Sequence, residues 1–186
     1  MAGSETILGE RPWTSRLPTV AATLASIGLL YAVARGAGIR PIAASFGTAV
    51  AFTSPMALLY GTMPDTPIFS LAFGAAILVL WQRAWLGTPA PRLLLLGTSV
   101  LAALSGWEAA LLAATAAASL VLLGRSRSDR RRAGISMAIG VAAGTVGTVL
   151  WATWAYGSTS VLLDQMVRRS SGAGGMTPQL AVDNQL

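Results

Sequence analysis

Arginine occurs in alternate connections between the apolar segments of this chain. The first, third and fifth connections contain nine of the thirteen arginines, whereas the second and fourth contain none and carry Asp65 and Glu108. Cytoplasmic loops of membrane proteins are enriched in Lys and Arg, and short loops show this most clearly. The pattern therefore predicts a multi-pass membrane protein whose odd-numbered connections are cytoplasmic. The six apolar runs are Leu17–Ala34, Pro41–Tyr60, Ile68–Gln82, Leu93–Leu104, Ala109–Leu123 and Ala133–Tyr156.

The composition agrees with a membrane protein and excludes several classes of function. Hydrophobic residues make up 54% of the chain and charged residues 11%, against about 25% charged in a soluble domain. With no cysteine and no histidine, disulfides, thiol nucleophiles, histidine bases and the usual zinc sites are excluded. The arginines are scattered between apolar runs, which argues against nucleic acid as a partner. The absence of lysine, together with abundant Ala, Gly and Leu, indicates a GC-rich bacterial genome and hence a bacterial plasma membrane.

The predicted fold is an all-α polytopic bundle of about six membrane segments, two of them short. Residues 1–16 form an outer N-terminal segment, residues 17–156 the transmembrane bundle, and residues 157–186 an outer, polar, Gly-rich tail. Both termini are therefore expected outside. Ser54-Pro55 predicts a kink in the second run, and the run Ile68–Gln82 is short for a full span.

The stretch Leu93–Leu123 is either one long helix or two short ones. We favour two short helices that meet at Ser105–Glu108, because Ser105-Gly106 and the charge of Glu108 interrupt it. The last run has small residues four apart, namely Gly140 with Gly144 and Ala143 with Gly147. This spacing predicts a packing face for another helix, the alternative being glycines without a packing role.

Two carboxylates on the predicted outer face are the candidate catalytic residues. Asp65 lies between Pro64 and Pro67, where it either caps the next helix or acts as a functional carboxylate at the membrane surface. Glu108 follows Trp107 at the next outer turn, where it is either a first-turn acid favoured by the helix dipole or a second acid facing the same cavity.

Arg168 and Arg169 are basic residues on the predicted outer side, whereas nine of the thirteen arginines lie in connections predicted to be cytoplasmic. One interpretation is a solvated anchor for an interfacial helix. The other is a phosphate clamp, because the guanidinium group suits bidentate phosphate contacts.

Several short motifs, taken in order, resemble one enzyme family. The likeness is to polytopic glycosyltransferases of the GT-C fold that use lipid-linked sugars, such as the dolichyl- or polyprenyl-phosphate-mannose protein mannosyltransferases and the aminoarabinose transferases. It extends over residues 8–123 and more loosely over 133–175. The motifs are Arg16-Leu17-Pro18, Leu29–Arg35, Ser54-Pro55, Leu58-Leu59-Tyr60, Met63–Pro67 and Leu101–Leu112 with its turn Ser105–Glu108.

The resemblance implies transfer of a sugar from a polyprenyl-phosphate donor to an outer-face acceptor, which is a protein, a glycan or a lipid. Asp65 matches the acid of the family's second outer loop. The family's principal catalytic acid lies in a first outer loop that precedes the helix matching Leu17–Ala34. The chain is therefore expected to be a fragment that lacks the first helix and that loop, and a lysine common near Gly106 in relatives is also missing. The metal requirement stays open, with a divalent cation as one alternative.

Two other functions remain open at this point. A small transporter subunit would need polar residues in mid-helix, and the apolar runs offer few beyond Ser and Thr. A noncatalytic membrane scaffold would use the glycine face of the last helix as its interaction surface.

Overall fold

The computed structural model describes residues 14, 16–54, 66–88, 90–124, 128–156 and 160, and these are helical apart from short connections. No β-strand occurs among them, which confirms the predicted all-α class. The chain divides into two compact units, Met1–Thr145 and Val146–Leu186. The helices are α1 (Leu17–Gly36), α2 (Pro41–Thr53), α3 (Thr66–Leu86), α4 (Arg92–Ser105), α5 (Trp107–Leu122) and α6 (Ser128–Tyr156).

Three helices are long and apolar enough to cross a membrane. They cover Leu17–Gly36, Pro67–Leu86 and Ser128–Ala155. The helices α2, α4 and α5 are also apolar but contain only 13, 14 and 16 residues. A straight span needs about 20 residues, so helices of these lengths are too short to form one by themselves.

The third predicted segment differs from expectation, and the described helix of the second ends next to the predicted kink. The third run is not short, because the helix extends from Thr66 through Arg83 to Leu86 and reaches 21 residues. In the second run α2 ends at Thr53, next to Ser54-Pro55, and the predicted kink at that position stays a prediction. Ser54 has φ −62° and ψ 143°, an extended conformation that disfavours continuation before Pro55. Residues 55–65 lie outside the described part of the chain.

The predicted break inside Leu93–Leu123 is confirmed. Helix α4 ends at Ser105 and α5 begins at Trp107, so the two short helices meet at Gly106. Gly106 has φ 166° and ψ 158°, which is extended backbone rather than helix. The chain therefore reverses at a single extended residue.

Side-chain contacts fix the relative directions of the helices in the first unit. Gln82 Nε2 donates to Val33 O at 3.0 Å, and Ala22 packs with Ile68 and Ala72, so α1 and α3 run parallel. Ser70 of α3 contacts Ser105 at the end of α4, so α3 and α4 run antiparallel. These directions agree with helices that cross the membrane alternately.

The core of this unit is built from small residues and a few large aliphatic ones. Ile77, Leu95, Leu120 and Met137 are fully buried, one each from α3, α4, α5 and α6. Alanines fill the spaces between them and let the helices approach closely. Large apolar side chains such as Ile42 and Leu93 are more than 80% exposed, as expected where the solvent is lipid. In the second unit, Trp151 and Trp154 of α6 are exposed.

The glycine face of α6 packs inside the first unit. A Cβ on Gly140 would lie 2.7 Å from Ser99 Cβ, and a Cβ on Gly144 would lie 2.7 Å from both Ala103 Cβ and Val100 O. Backbone atoms of α6 therefore lie directly against α4, and the predicted packing face is confirmed for this glycine pair. Ala143, of the second predicted pair, is exposed.

Candidate functional site

A cleft of about 350 Å³ lies between α1, α3 and α5. From Pro67 to Leu78 it follows α3 for about 16 Å, taking 1.5 Å per helical residue. Its polar groups are at the end where α3 and α5 begin, and the rest of its wall is apolar. The lining residues are Leu30, Pro67, Ser70, Leu71, Gly74, Ala75, Leu78, Glu108, Ala109 and Leu112.

Glu108 is the carboxylate of this cleft. It is an exposed residue in the first turn of α5, where the helix dipole favours a negative charge. Ala109, the next residue, is buried and fixes this turn of the helix in the core. Glu108 is therefore a first-turn acid that also lines a cleft, and its catalytic role stays a prediction.

Ser70 is a polar partner that the sequence analysis did not single out. Its hydroxyl donates to Ser105 O at 2.9 Å, which ties α3 to the last turn of α4. The hydroxyl proton is therefore used within the protein, and the Ser70 oxygen keeps lone pairs that can accept a hydrogen bond. A serine three residues after Pro67 gave no sequence signal, because only the fold brings it next to Glu108.

Gly106 brings these polar groups close together. A Cβ at this position would collide with Ser70 Oγ and lie 3.0 Å from Glu108 Oε2. The two side chains thus flank the same small volume, which only the absence of a side chain at 106 leaves free. Because the backbone is extended there, the requirement for glycine comes from this close approach and not from the dihedral angles.

The polar end of the cleft presents hydrogen-bond acceptors. An ionised carboxylate only accepts hydrogen bonds, and Ser70 has already donated its proton. Such a site fits the hydroxyl groups of a sugar, an acceptor hydroxyl or an amine.

The other candidate residues, Asp65, Arg168 and Arg169, lie outside the described residues. Their roles stay predictions. Among the residues that the structure describes, no group of three or more carboxylate, histidine or cysteine side chains could hold a metal ion. The described carboxylates, Glu108 and Asp129, lie in the first turns of α5 and α6 respectively.

No protein family model, no curated protein and no solved structure matches this chain.

Proposed function

We propose that this chain is part of a membrane glycosyltransferase that moves a sugar from a polyprenyl-phosphate donor to an acceptor on the outer face of the membrane. The observation that supports the proposal most is the cleft between α1, α3 and α5. It is apolar along most of its length and ends at the oxygens of Glu108 and Ser70. An amphiphilic substrate matches this cleft, because an isoprenoid tail can lie along the apolar wall while a hydroxyl-rich head contacts the polar end.

The chemistry assigned to Glu108 is that of a general base or an acceptor-positioning group. In an inverting transfer the acceptor hydroxyl or amine attacks the anomeric carbon, its proton passes to the carboxylate, and the sugar–phosphate bond breaks. The polyprenyl phosphate then leaves with the bonding electrons, and its charge needs cationic help. We assign that help to Arg168 or Arg169 and an acceptor-side role to Asp65, following the family resemblance.

The two rival functions have less support. The scaffold hypothesis relied on the glycine face of α6, and Gly140 and Gly144 are already covered by α4. The transporter hypothesis expects charge inside the membrane. The described charged residues lie in connections or in the terminal turns of helices.

Donor binding can be tested on the chain as it is, without requiring turnover. A photoreactive polyprenyl-phosphate hexose is added to proteoliposomes, and the labelled residues are located by mass spectrometry. Leu71→Trp fills the cleft from its α3 wall, and Leu101→Trp is the matched control, since Leu71 and Leu101 are exposed by 40% and 47% and Leu101 does not line the cleft.

We expect labelling of the α1, α3 and α5 walls in the unmodified chain. Leu71→Trp should reduce it about tenfold, because overfilling a packed site costs on the order of 1–3 kcal/mol. The control should label like the unmodified chain. Equal labelling of both variants, or labelling spread evenly over all lipid-facing helices, contradicts the proposal.

A further inference from the structure

We propose that the end of the bundle where α3 ends and α4 and α6 begin binds the phosphate group of an anionic phospholipid, with Arg130 as the principal ligand. This site is separate from the cleft at Glu108, which lies where α3 begins. It does not depend on the glycosyltransferase proposal.

Arg130 is held in place by aromatic side chains. Its guanidinium carbon lies 4.9 Å from the centroid of the Trp85 ring. Trp85 in turn stacks on Trp81, with ring centroids 5.7 Å apart and an interplanar angle of 27°. Trp81 Nε1 donates to Ser119 Oγ at 2.8 Å, so the arginine of α6 is tied through α3 to α5. A side chain fixed in this way loses little further freedom when it binds a ligand.

One nitrogen of Arg130 lacks an acceptor. Its Nε atom is buried and has no hydrogen-bond partner in the described part of the chain. A buried donor without an acceptor costs free energy, more so on a charged group. A phosphate beside the guanidinium offsets that cost through its charge and can accept from the two terminal nitrogens together, a bidentate geometry that distinguishes arginine from lysine.

The surroundings of Arg130 are basic. Arg83, Arg92, Arg131 and Arg132 are exposed at this end of the helices, against one described acid there, Asp129. Each basic residue near a membrane surface adds about 1 kcal/mol of attraction to anionic lipid. The basic residues therefore favour an anion at this end of the helices, and the guanidinium of Arg130, held over Trp85, gives that anion a defined place.

The neighbouring apolar surface indicates a lipid rather than a free anion. Leu86 at the end of α3 is 67% exposed, and Leu93 in the first turn of α4 is 84% exposed. Tryptophans such as Trp81 and Trp85 typically lie at the level of lipid headgroups. A phosphate at Arg130 would place its acyl chains beside these leucines.

Native mass spectrometry of the detergent-solubilised chain, titrated with phosphatidylglycerol, tests the site. Arg130→Gln removes the proposed ligand. Arg130→Lys keeps the charge and can still lie over Trp85, but lacks the planar fork. Arg132→Gln, two residues away and exposed, is the control with the same loss of charge.

We expect Arg130→Gln to weaken binding about 30-fold, as loss of charge-assisted hydrogen bonds implies, and Arg130→Lys about tenfold. Arg132→Gln should weaken it only about fivefold, the effect of one surface charge. Phosphatidylcholine and inorganic phosphate should bind much more weakly than phosphatidylglycerol. Equal losses for Arg130→Gln and Arg132→Gln, no loss for Arg130→Lys, or inorganic phosphate binding as tightly as the lipid would overturn the proposal.

Discussion

At the scale of single residues, the turn at Gly106 determines what the cleft can do. The glycine lets Ser70 and Glu108 approach the same volume, while the Ser70–Ser105 hydrogen bond fixes the position of the serine. The break at Gly106 and the acid Glu108 could be predicted from the sequence. Ser70 could not be predicted, because hydrogen-bond partners 35 residues apart follow from the packing of α3 on α4 and leave no local pattern.

Gly106→Ala should destabilise the protein by about 1–3 kcal/mol, the usual effect of overpacking, because the new methyl group collides with Ser70 Oγ. Thermal unfolding in detergent measures this loss of stability. Gly97→Ala is the matched control on α4: a Cβ there meets nothing within 4 Å, and alanine favours the helix. A Gly106→Ala protein as stable as the Gly97→Ala protein would mean that Ser70 moves aside freely.

If the proposed function holds, Glu108→Gln is expected to lower sugar transfer by about 100-fold, the scale for a positioned acid–base group. The amide keeps the size of the side chain but loses its charge and basicity. Thermal stability should stay near that of the unmodified protein, because the residue is exposed. Asp129→Asn, also a first-turn acid, serves as control. Transfer at the unmodified rate would leave Glu108 as a helix-dipole acid only.

The same substitution at Asp65 separates a cap from a catalyst. Asparagine caps a helix about as well as aspartate, so Asp65→Asn should be nearly silent if the residue only caps. A functional carboxylate would instead lose about 100-fold in transfer with expression and stability unchanged. Transfer assays and unfolding curves on the same preparations distinguish the two.

At the scale of elements, α6 is placed by glycines that contact two different helices. Gly140 and Gly144 lie against α4, and a Cβ on Gly134 would meet Ala117 O and Val121 Cγ2 of α5 at 2.8 Å. The four-residue spacing was visible in the sequence, whereas Gly134 stands outside it. The four-residue spacing therefore predicts that the glycine face of α6 packs against another helix. Which helix covers it depends on how all the helices pack together, which the spacing does not reveal.

Gly144→Ala should lower the melting temperature by several degrees, because a Cβ there would lie 2.7 Å from the backbone oxygen of Val100 and α6 would have to move away from α4. Gly28→Ala in α1 is the control, since nothing lies within 4 Å of its Cβ position. Differential scanning fluorimetry in one detergent compares the two. Equal melting temperatures of the two variants would show that α6 can move away from α4 without loss of stability.

At the scale of the whole molecule, the fold class and the alternation of helix directions could be predicted from the sequence. The arginines in the loops and the lengths of the apolar runs predict both properties, and these two signals do not depend on side-chain packing. Helix ends were less predictable: α3 continues past Arg83 to Leu86, because a charged residue near the membrane surface need not end a helix. The cleft could not be predicted, because its walls come from three helices distant in sequence.

The absence of cysteine from the whole chain allows the sidedness to be measured directly. Single substitutions Arg131→Cys and Trp107→Cys introduce one exposed thiol each, in the first turn of α6 and of α5. We expect a membrane-impermeant maleimide added to intact cells to label Trp107→Cys only, and Arg131→Cys to react after the cells are opened. Labelling of Arg131→Cys in intact cells would reverse the predicted topology.

The shortness of α4 and α5 has a consequence for how the chain is made. As straight helices they measure about 21 Å and 24 Å, less than the roughly 30 Å of hydrocarbon that a nascent segment must cross to be released singly into lipid. The two should therefore leave the insertion machinery as one hairpin, folded at Gly106. Since α4 lies against Gly140 and Gly144, the hairpin becomes fully seated only after α6 has been synthesised.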